Sequence, residues 1–225
     1  MRITVLTGAG ISAESGLATF RASDGLWEQH RIEDVATPEG FTADPALVHR
    51  FYNARRAAAA AALPNPAHQA LAELARHHDL TLITQNVDDL HERGGSPEVI
   101  HMHGSLTAAL CASCDARWTA PMVMSPADPC PTCRAQATRP DIVWFGEIPY
   151  HMDRIWQALE TTDLFAAIGT SGNVYPAAGL AQHAARMGAD CIELNLEASA
   201  TARDFSRHIH GPASRTVPDW VASLV

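Results

Sequence analysis

Short apolar runs that close on small or polar residues recur along the chain, at Ile3 to Leu6, Leu80 to Asn86, Leu164 to Ser171 and Asp190 to Asn195. Runs of this length, bounded by Gly, Ser, Asn or Asp, predict β-strands. Between them lie stretches with helical character, Pro66 to His77 and Tyr175 to Met187. The alternation predicts a parallel sheet covered by helices, whose ligands sit beyond the carboxyl ends of the strands. Those ends are where this sequence gathers its Gly, Ser, Asn, Asp and His.

Two segments break the alternation. Asp24 to Ala62 is a long insertion containing a helix that Asp44 can cap, Pro45 can start and Pro64 must stop. Cys111 to Pro140 is rich in Pro and Cys with little periodicity. The organisation expected is a large domain from residues 1–23, 63–107 and 141–225, with 24–62 and 108–140 forming a smaller lobe. No internal repeat is present, and the Ala-rich patch Ala57 to Ala62 reads as a helix tail.

Composition narrows the function classes. A chain of 225 residues with 47% apolar content can bury a core, which excludes disorder. The formal charge of −9 supplies no global positive field for phosphate backbones, so nucleic acid is not an expected partner. Every basic residue is Arg and none is Lys, which excludes Schiff-base and P-loop lysine chemistry. The apolar start, Arg2 to Leu6, is too short for a signal peptide and no run is long enough to span a bilayer. Five cysteines without such a signal point to a reducing compartment, the cytoplasm. The oligomeric state is left open, monomer included.

Cys111-x-x-Cys114 and Cys130-x-x-Cys133 are separated by 15 residues, the spacing of a four-thiolate zinc site; the competing reading is two unrelated redox or buried pairs. Four thiolates fill a tetrahedron and leave no open position, so such an ion is structural. Cys191, inside an apolar run, reads as a core residue. Gly8-Ala9-Gly10-Ile11-Ser12 follows a strand, so its amides and a helix start can receive a pyrophosphate. A hydride-transfer enzyme would place an acid at the end of a second strand about 20 residues on. Glu28 and Glu33 are there without a preceding strand, which disfavours a dehydrogenase. Ile100-His101-Met102-His103-Gly104, if extended, puts two imidazoles on one face, next to Gln85-Asn86-Val87-Asp88 and His91. An imidazole beside a Gly that allows close backbone approach suits a general base acting on a sugar hydroxyl.

Taken together, Gly8 to Ser12, Ser15-Gly16-Leu17-Ala18-Thr19-Phe20-Arg21, Thr84 to His91, His103-Gly104-Ser105, the four cysteines and Gly169-Thr170-Ser171 resemble the sirtuins over nearly the whole chain. The resemblance implies a Rossmann-like NAD-binding domain, a small lobe made of a zinc ribbon and a helical insertion, and an acyl-lysine peptide entering between them. It also implies that NAD is consumed. The acyl oxygen attacks the ribose carbon bearing nicotinamide, and the ribose 2′-hydroxyl then attacks the resulting imidate. His103 matches the base for that hydroxyl; His101 is off the motif and is assigned a supporting role. By the same resemblance Gly8, Ala9, Gly10 and Ser12 hold the phosphates. Phe20, Arg21 and Trp27 belong to the cofactor loop, Gln85 meets ribose, and Asn86 and Asp88 serve nicotinamide. Gly169, Thr170 and Ser171 return to phosphates and ribose, while Asn195 and Ala213 reach the adenosine end. Ala18 stands where the family often has Pro. Val143, Phe145 and Gly146 match the segment that pairs with substrate backbone; the alternative is a plain buried strand.

The acyl group itself is addressed by the helix of the insertion. Tyr52 and Arg55 stand three apart and share a face that Val48 extends, whereas Arg56 points elsewhere. A phenol and a guanidinium converging on an acyl channel suit a carboxylate. Tyr-x-x-Arg resembles the class III sirtuins of bacterial CobB type, which remove succinyl and malonyl groups, and Ala36 matches their small residue beside the acyl tail. The expected activity is NAD-dependent deacylation of protein lysines. A protein ADP-ribosyltransferase using the same NAD site, and a non-catalytic NAD or zinc module, are the competing classes.

Overall fold

The computed structural model describes residues 1–18, 26–27 and 30–225. In chain order the strands used below are β1 (Arg2–Thr7), β2 (Asp79–Thr84), β3 (Ile100–His101), β4 (Gly104–Cys111), β5 (Arg117–Thr119), β6 (Thr138–Ile142), β7 (Leu164–Ile168), β8 (Asp190–Asn195) and β9 (Arg207–His210). The main helices are α1 (Pro45–Ala61), α2 (Pro66–His77), α3 (Met152–Thr161), α4 (Leu180–Arg186) and α5 (Ala213–Ala222).

The main sheet has the order β9-β8-β7-β1-β2-β3 and is parallel throughout. Counted within this sheet, that is the Rossmann order, which reverses direction between β1 and β7. Alternate residues of each strand face opposite layers. Ile3, Val5, Ala166 and Ile168 pack with α2 and α5, through Leu71, Leu74, Val217 and Trp220. Leu6, Phe165 and Ala167 pack on the other face with α3 and α4, through Ile155, Leu159, Leu180 and Ala184. Burial on both faces explains why β7 reads as an unbroken apolar run.

The smaller lobe holds an antiparallel sheet, β5-β4-β6, and helix α1. Asp44 accepts a hydrogen bond from Leu47 N–H at 2.8 Å, Pro45 occupies the first turn, and the helix stops at Ala62, before Pro64. Its apolar face, with Val48, Phe51 and Tyr52, packs on Leu106, Ile142 and Trp144. The small sheet takes in Gly104–Thr107 and Asp141–Ile142, residues that the expected boundaries at 107 and 141 give to the large domain. Glu33 lies in the short helix Ile32–Val35, which follows the short antiparallel strand His30–Arg31. Among the described residues no helix is long and apolar enough to cross a membrane.

Candidate active site

A cleft of about 680 Å³ opens beyond the carboxyl ends of β1, β2 and β7, within the usual size of a cofactor pocket. Its floor is two loops locked together backbone to backbone. Gly8 and Gly10 donate their N–H groups to Ile168 O and Gly169 O, each at 2.9 Å. A Cβ on Gly10 would lie 2.7 Å from Gly169 Cα, and Gly169 itself has φ +63° with its Cβ position 2.5 Å from Ile11 N. Only glycine permits that approach. The Gly8 and Gly10 N–H groups are therefore used in the loop contact, while Gly8, Ala9 and Gly10 all line the cleft where the sequence reading puts a pyrophosphate. Ala9, Thr170 and Ser171 line the cleft above this junction.

Ser12 lines the cleft as well. It is buried; its hydroxyl donates to Asp88 Oδ2 at 3.3 Å and accepts from Asn86 Nδ2 at 3.1 Å. Asp88 Oδ1 accepts from Leu90 N–H, and burial raises the Asp88 pKa, opposed by these hydrogen bonds. His68 Nδ1 accepts Asn65 N–H, so Nε2 carries the proton and faces the Ser12 oxygen at 3.4 Å. Burial pushes the pKa of His68 down to about 4 and that of His91 well below the ordinary value, so both stay neutral. His91 contacts Thr7 Oγ1 at 2.9 Å, and Thr7 donates on to Thr84 Oγ1, which accepts Asn86 N–H.

The two imidazoles expected on one face are separated instead. β3 ends at His101 and the chain turns through Met102 and His103, so extended alternation does not continue. His101 and His103 reach consecutive carbonyls of one loop, Asn86 O at 3.1 Å and Gln85 O at 3.2 Å. His103 lines the cleft; His101 does not, and its Nε2 meets Glu92 Oε1 at 2.7 Å. Burial lowers the His103 pKa, with the Gln85 carbonyl acting against it. Burial also opposes charge on His101, but the hydrogen bond and charge of Glu92, helped by Asn86 O and Asp88, raise its pKa overall. With Nδ1–H bound to Gln85 O, His103 presents an unprotonated Nε2. Gly104 fixes that placement: it has φ +82°, and a Cβ there would lie 2.1 Å from Asp141 O.

The helix α1 brings Tyr52 and Arg55 into the lining of the same cleft, with Ala36 beside them. Tyr52 is fully buried and its hydroxyl accepts Trp144 Nε1–H at 3.1 Å. Burial raises its pKa, so the phenol keeps a proton to donate. The Arg55 guanidinium carbon stands 5.8 Å from the Phe51 ring centre. Arg56 is turned away, to Leu106 O, Asn53 and Met122 O, and Val48 lies in the core of the lobe.

Val143, Phe145 and Gly146 line the cleft in a turn after β6, not in a buried strand; Phe145 is exposed and Gly146 has φ +92°. Gln85, Asn86, Asp88 and Asn195 also line it. Ala213 does not: as the first residue of α5 it is buried in the core under β1 and β8. Phe20, Arg21 and the Trp27 side chain lie outside the described residues. Sequence reasoning missed Trp144 as the partner of Tyr52, and the loop Leu196 to Ala200 with Glu197, which closes the cleft beyond β8. The polar end of β8 was the available signal for that loop.

Away from the cleft, the four cysteines meet. Cys111 and Cys133 sulfurs are 3.7 Å apart and those of Cys114 and Cys130 3.8 Å. Zinc–thiolate bonds of about 2.3 Å at tetrahedral angles need sulfurs about 3.8 Å apart. Backbone N–H groups of Ser113 and Thr132 point at Cys111 and Cys130 sulfur, and Asp115 and Arg134 turn each knuckle at positive φ. The set fits one closed structural zinc, which ties β4 to the loop before β6.

Residues 8–176 match the model of the Sir2 family. The chain belongs to the Sir2 family. It is 52% identical to an NAD-dependent protein deacylase of Caulobacter vibrioides, over all of this chain and 97% of that one. An NAD-dependent protein deacylase of Escherichia coli is 53% identical, over all of this chain and 82% of its own length. A solved complex of a Sir2 homologue with NAD superposes with a TM-score of 0.91 at 40% identity, covering 99% of this chain and 88% of the other. The Sir2 fold is thus common ground between geometry and kinship.

Proposed function

We propose that this protein is an NAD-dependent protein-lysine deacylase that removes acetyl groups and, through Tyr52 and Arg55, the acidic acyl groups succinyl and malonyl. One observation carries the reading: His103, the locked loops after β1 and β7, and the Tyr52–Arg55 pair all line a single cleft. The deacylase names of the full-length relatives and the NAD complex of the structural neighbour support it. When bound, NAD supplies the electrophilic ribose carbon and the nicotinamide leaving group.

Ala9, Thr170 and Ser171 form the polar rim suited to the phosphates, Gln85, Asn86 and Asp88 the side suited to the nicotinamide ribose, and Asn195 with Glu197 the adenosine end. Neutral His103 accepts a hydroxyl proton at Nε2 while Gln85 O holds its other nitrogen. Ser12 holds the amide of Asn86 and the carboxyl of Asp88 in fixed orientation. Protonated Tyr52 donates to an acyl carboxylate, and Arg55 offers it a charge-assisted fork. Phe145 and Gly146 at the lip receive the peptide backbone, and the Trp144 indole keeps Tyr52 in place. Partners are acylated lysine-bearing proteins. We assign it to the cytoplasm, where reduced thiolates can hold their metal.

The reading is tested by mass spectrometry of acetyl-, malonyl- and succinyl-lysine peptides incubated with the protein, with and without NAD. Loss of all three acyl groups only when NAD is present is the expected result. Acylated peptides left intact under both conditions contradict it.

A further inference from the structure

At the far edge of the main sheet, outside the cleft, three more metal-competent side chains converge. Glu193 on β8 and His208 on β9 are direct cross-strand partners, and His210, two residues on, shares the face of His208. Their ligand atoms all lie within 4.8 Å of one another. His208 Nδ1 is 3.2 Å from Glu193 Oε2, and the two imidazole centres are 6.2 Å apart. Glu193 is fully buried, whereas both histidines are exposed. A carboxylate so deeply placed requires strong partners, and besides meeting His208 it accepts a long 3.3 Å hydrogen bond from Ser199 N–H.

We propose that Glu193, His208 and His210 form a second metal site that takes a borderline divalent ion such as Zn²⁺. Two imidazoles and one carboxylate on adjacent strands supply three ligands on one side of the ion and leave the outer positions to water, the open arrangement that the four thiolates exclude. The donor set, N₂O with no sulfur, favours Zn²⁺ over hard ions that want only oxygen. Small side-chain rotations suffice, because both histidines are free to move at the surface while Glu193 is fixed by burial and by Ser199. Since Ser199 also belongs to the loop lining the cleft beyond β8, the ion would sit directly behind that wall.

The experiment is a Zn²⁺ titration of tag-free protein carrying its thiolate-bound zinc, with bound metal counted by mass spectrometry after separation from free ion. Wild type is expected to bind two equivalents. The variant His208→Ala with His210→Ala, both exposed and so compatible with folding, is expected to bind one, with affinity for a second ion weakened by at least the roughly 10–100-fold that loss of even an outer-shell partner costs. His77→Ala, which removes another surface imidazole paired with a carboxylate, Glu73, serves as control and should keep both ions. A single equivalent in wild type, a second equivalent retained by the double variant, or its loss in the control overturns the proposal. Substituting Co²⁺ at the second equivalent adds an independent signature: weak d–d bands without thiolate charge transfer are expected, and thiolate charge transfer rising with that equivalent contradicts it.

Discussion

Histidine stands both on the cleft side and in the layer directly beneath it, and the two places give it different work. On the cleft side His103 is held neutral, with one nitrogen bound to Gln85 O and the other open. Beneath, His101 is biased toward the charged form by Glu92, while His68 and His91 are neutral bridges whose nitrogens face Ser12 and Thr7. The difference arises from backbone geometry: the consecutive carbonyls of Gln85 and Asn86 each take a different imidazole. Two residues of the same type, two positions apart, thereby have their pKa values moved in opposite directions from 6.5 and acquire different work. Burial alone would lower both; the Glu92 carboxylate reverses the direction for His101.

The sharpest way to break this contrast is His103→Ala. It removes the open nitrogen and should lower net deacylation about 10²–10⁴-fold while circular dichroism and zinc content stay unchanged. Near wild-type turnover would remove the base assignment. In the wild type the lowered pKa keeps the base of the free enzyme neutral at its ordinary value of 6.5, so the acidic limb of kcat/KM against pH should fall only below that point.

Next in size is Arg55→Met, at the other wall of the cleft. Losing one charge-assisted hydrogen-bond partner costs about 1.5–3 kcal/mol, a factor of roughly 10–150 in desuccinylation, with deacetylation nearly unaffected. Equal losses in both, measured on matched peptides, would take Arg55 out of acyl recognition. Gly104→Ala tests the backbone that aims His103: positive φ alone costs about 1–3 kcal/mol, and the contact with Asp141 O adds to it. A lowered melting temperature is expected, and an unchanged one would mean the turn is relaxed.

The smallest effect belongs to the lower layer. The folded pKa of His101 is raised, so its pairing stabilises fully below the unfolded value of 6.5 and is lost as pH rises through the folded value. Glu92 is lowered, so its share is present above its unfolded value of 4.5 and is lost as pH falls through the folded one. Glu92→Gln should therefore cost most between about pH 4.5 and 6.5. Because Glu92 is partly exposed, the cost stays below about 1 kcal/mol. A penalty that grows toward pH 8 in denaturant melts would refute the pairing.

Much of this architecture was legible in one dimension. Strand ends, the caps of α1 and the cysteine knuckles are local features, set by residue type and short spacing, and they survive folding unchanged. The Tyr52–Arg55 face was readable because three positions on a helix fix a direction. What escaped was long-range. Only the opposing loop at Gly169 reveals that the glycines of the first loop also admit a neighbour's backbone. His101 read as a twin of His103 until the turn at Met102 sent it toward Glu92. Trp144, ninety-two positions from Tyr52, shares a hydrogen bond with it that no periodicity announces.

The most direct test follows the two ring systems themselves by nitrogen-edited NMR across a pH titration, with His101→Gln and His103→Gln variants for assignment. His103 should appear as the Nδ1–H tautomer titrating below 6.5, and His101 should titrate above it. A His103 that carries its proton on Nε2, or that charges at higher pH than His101, would contradict the account.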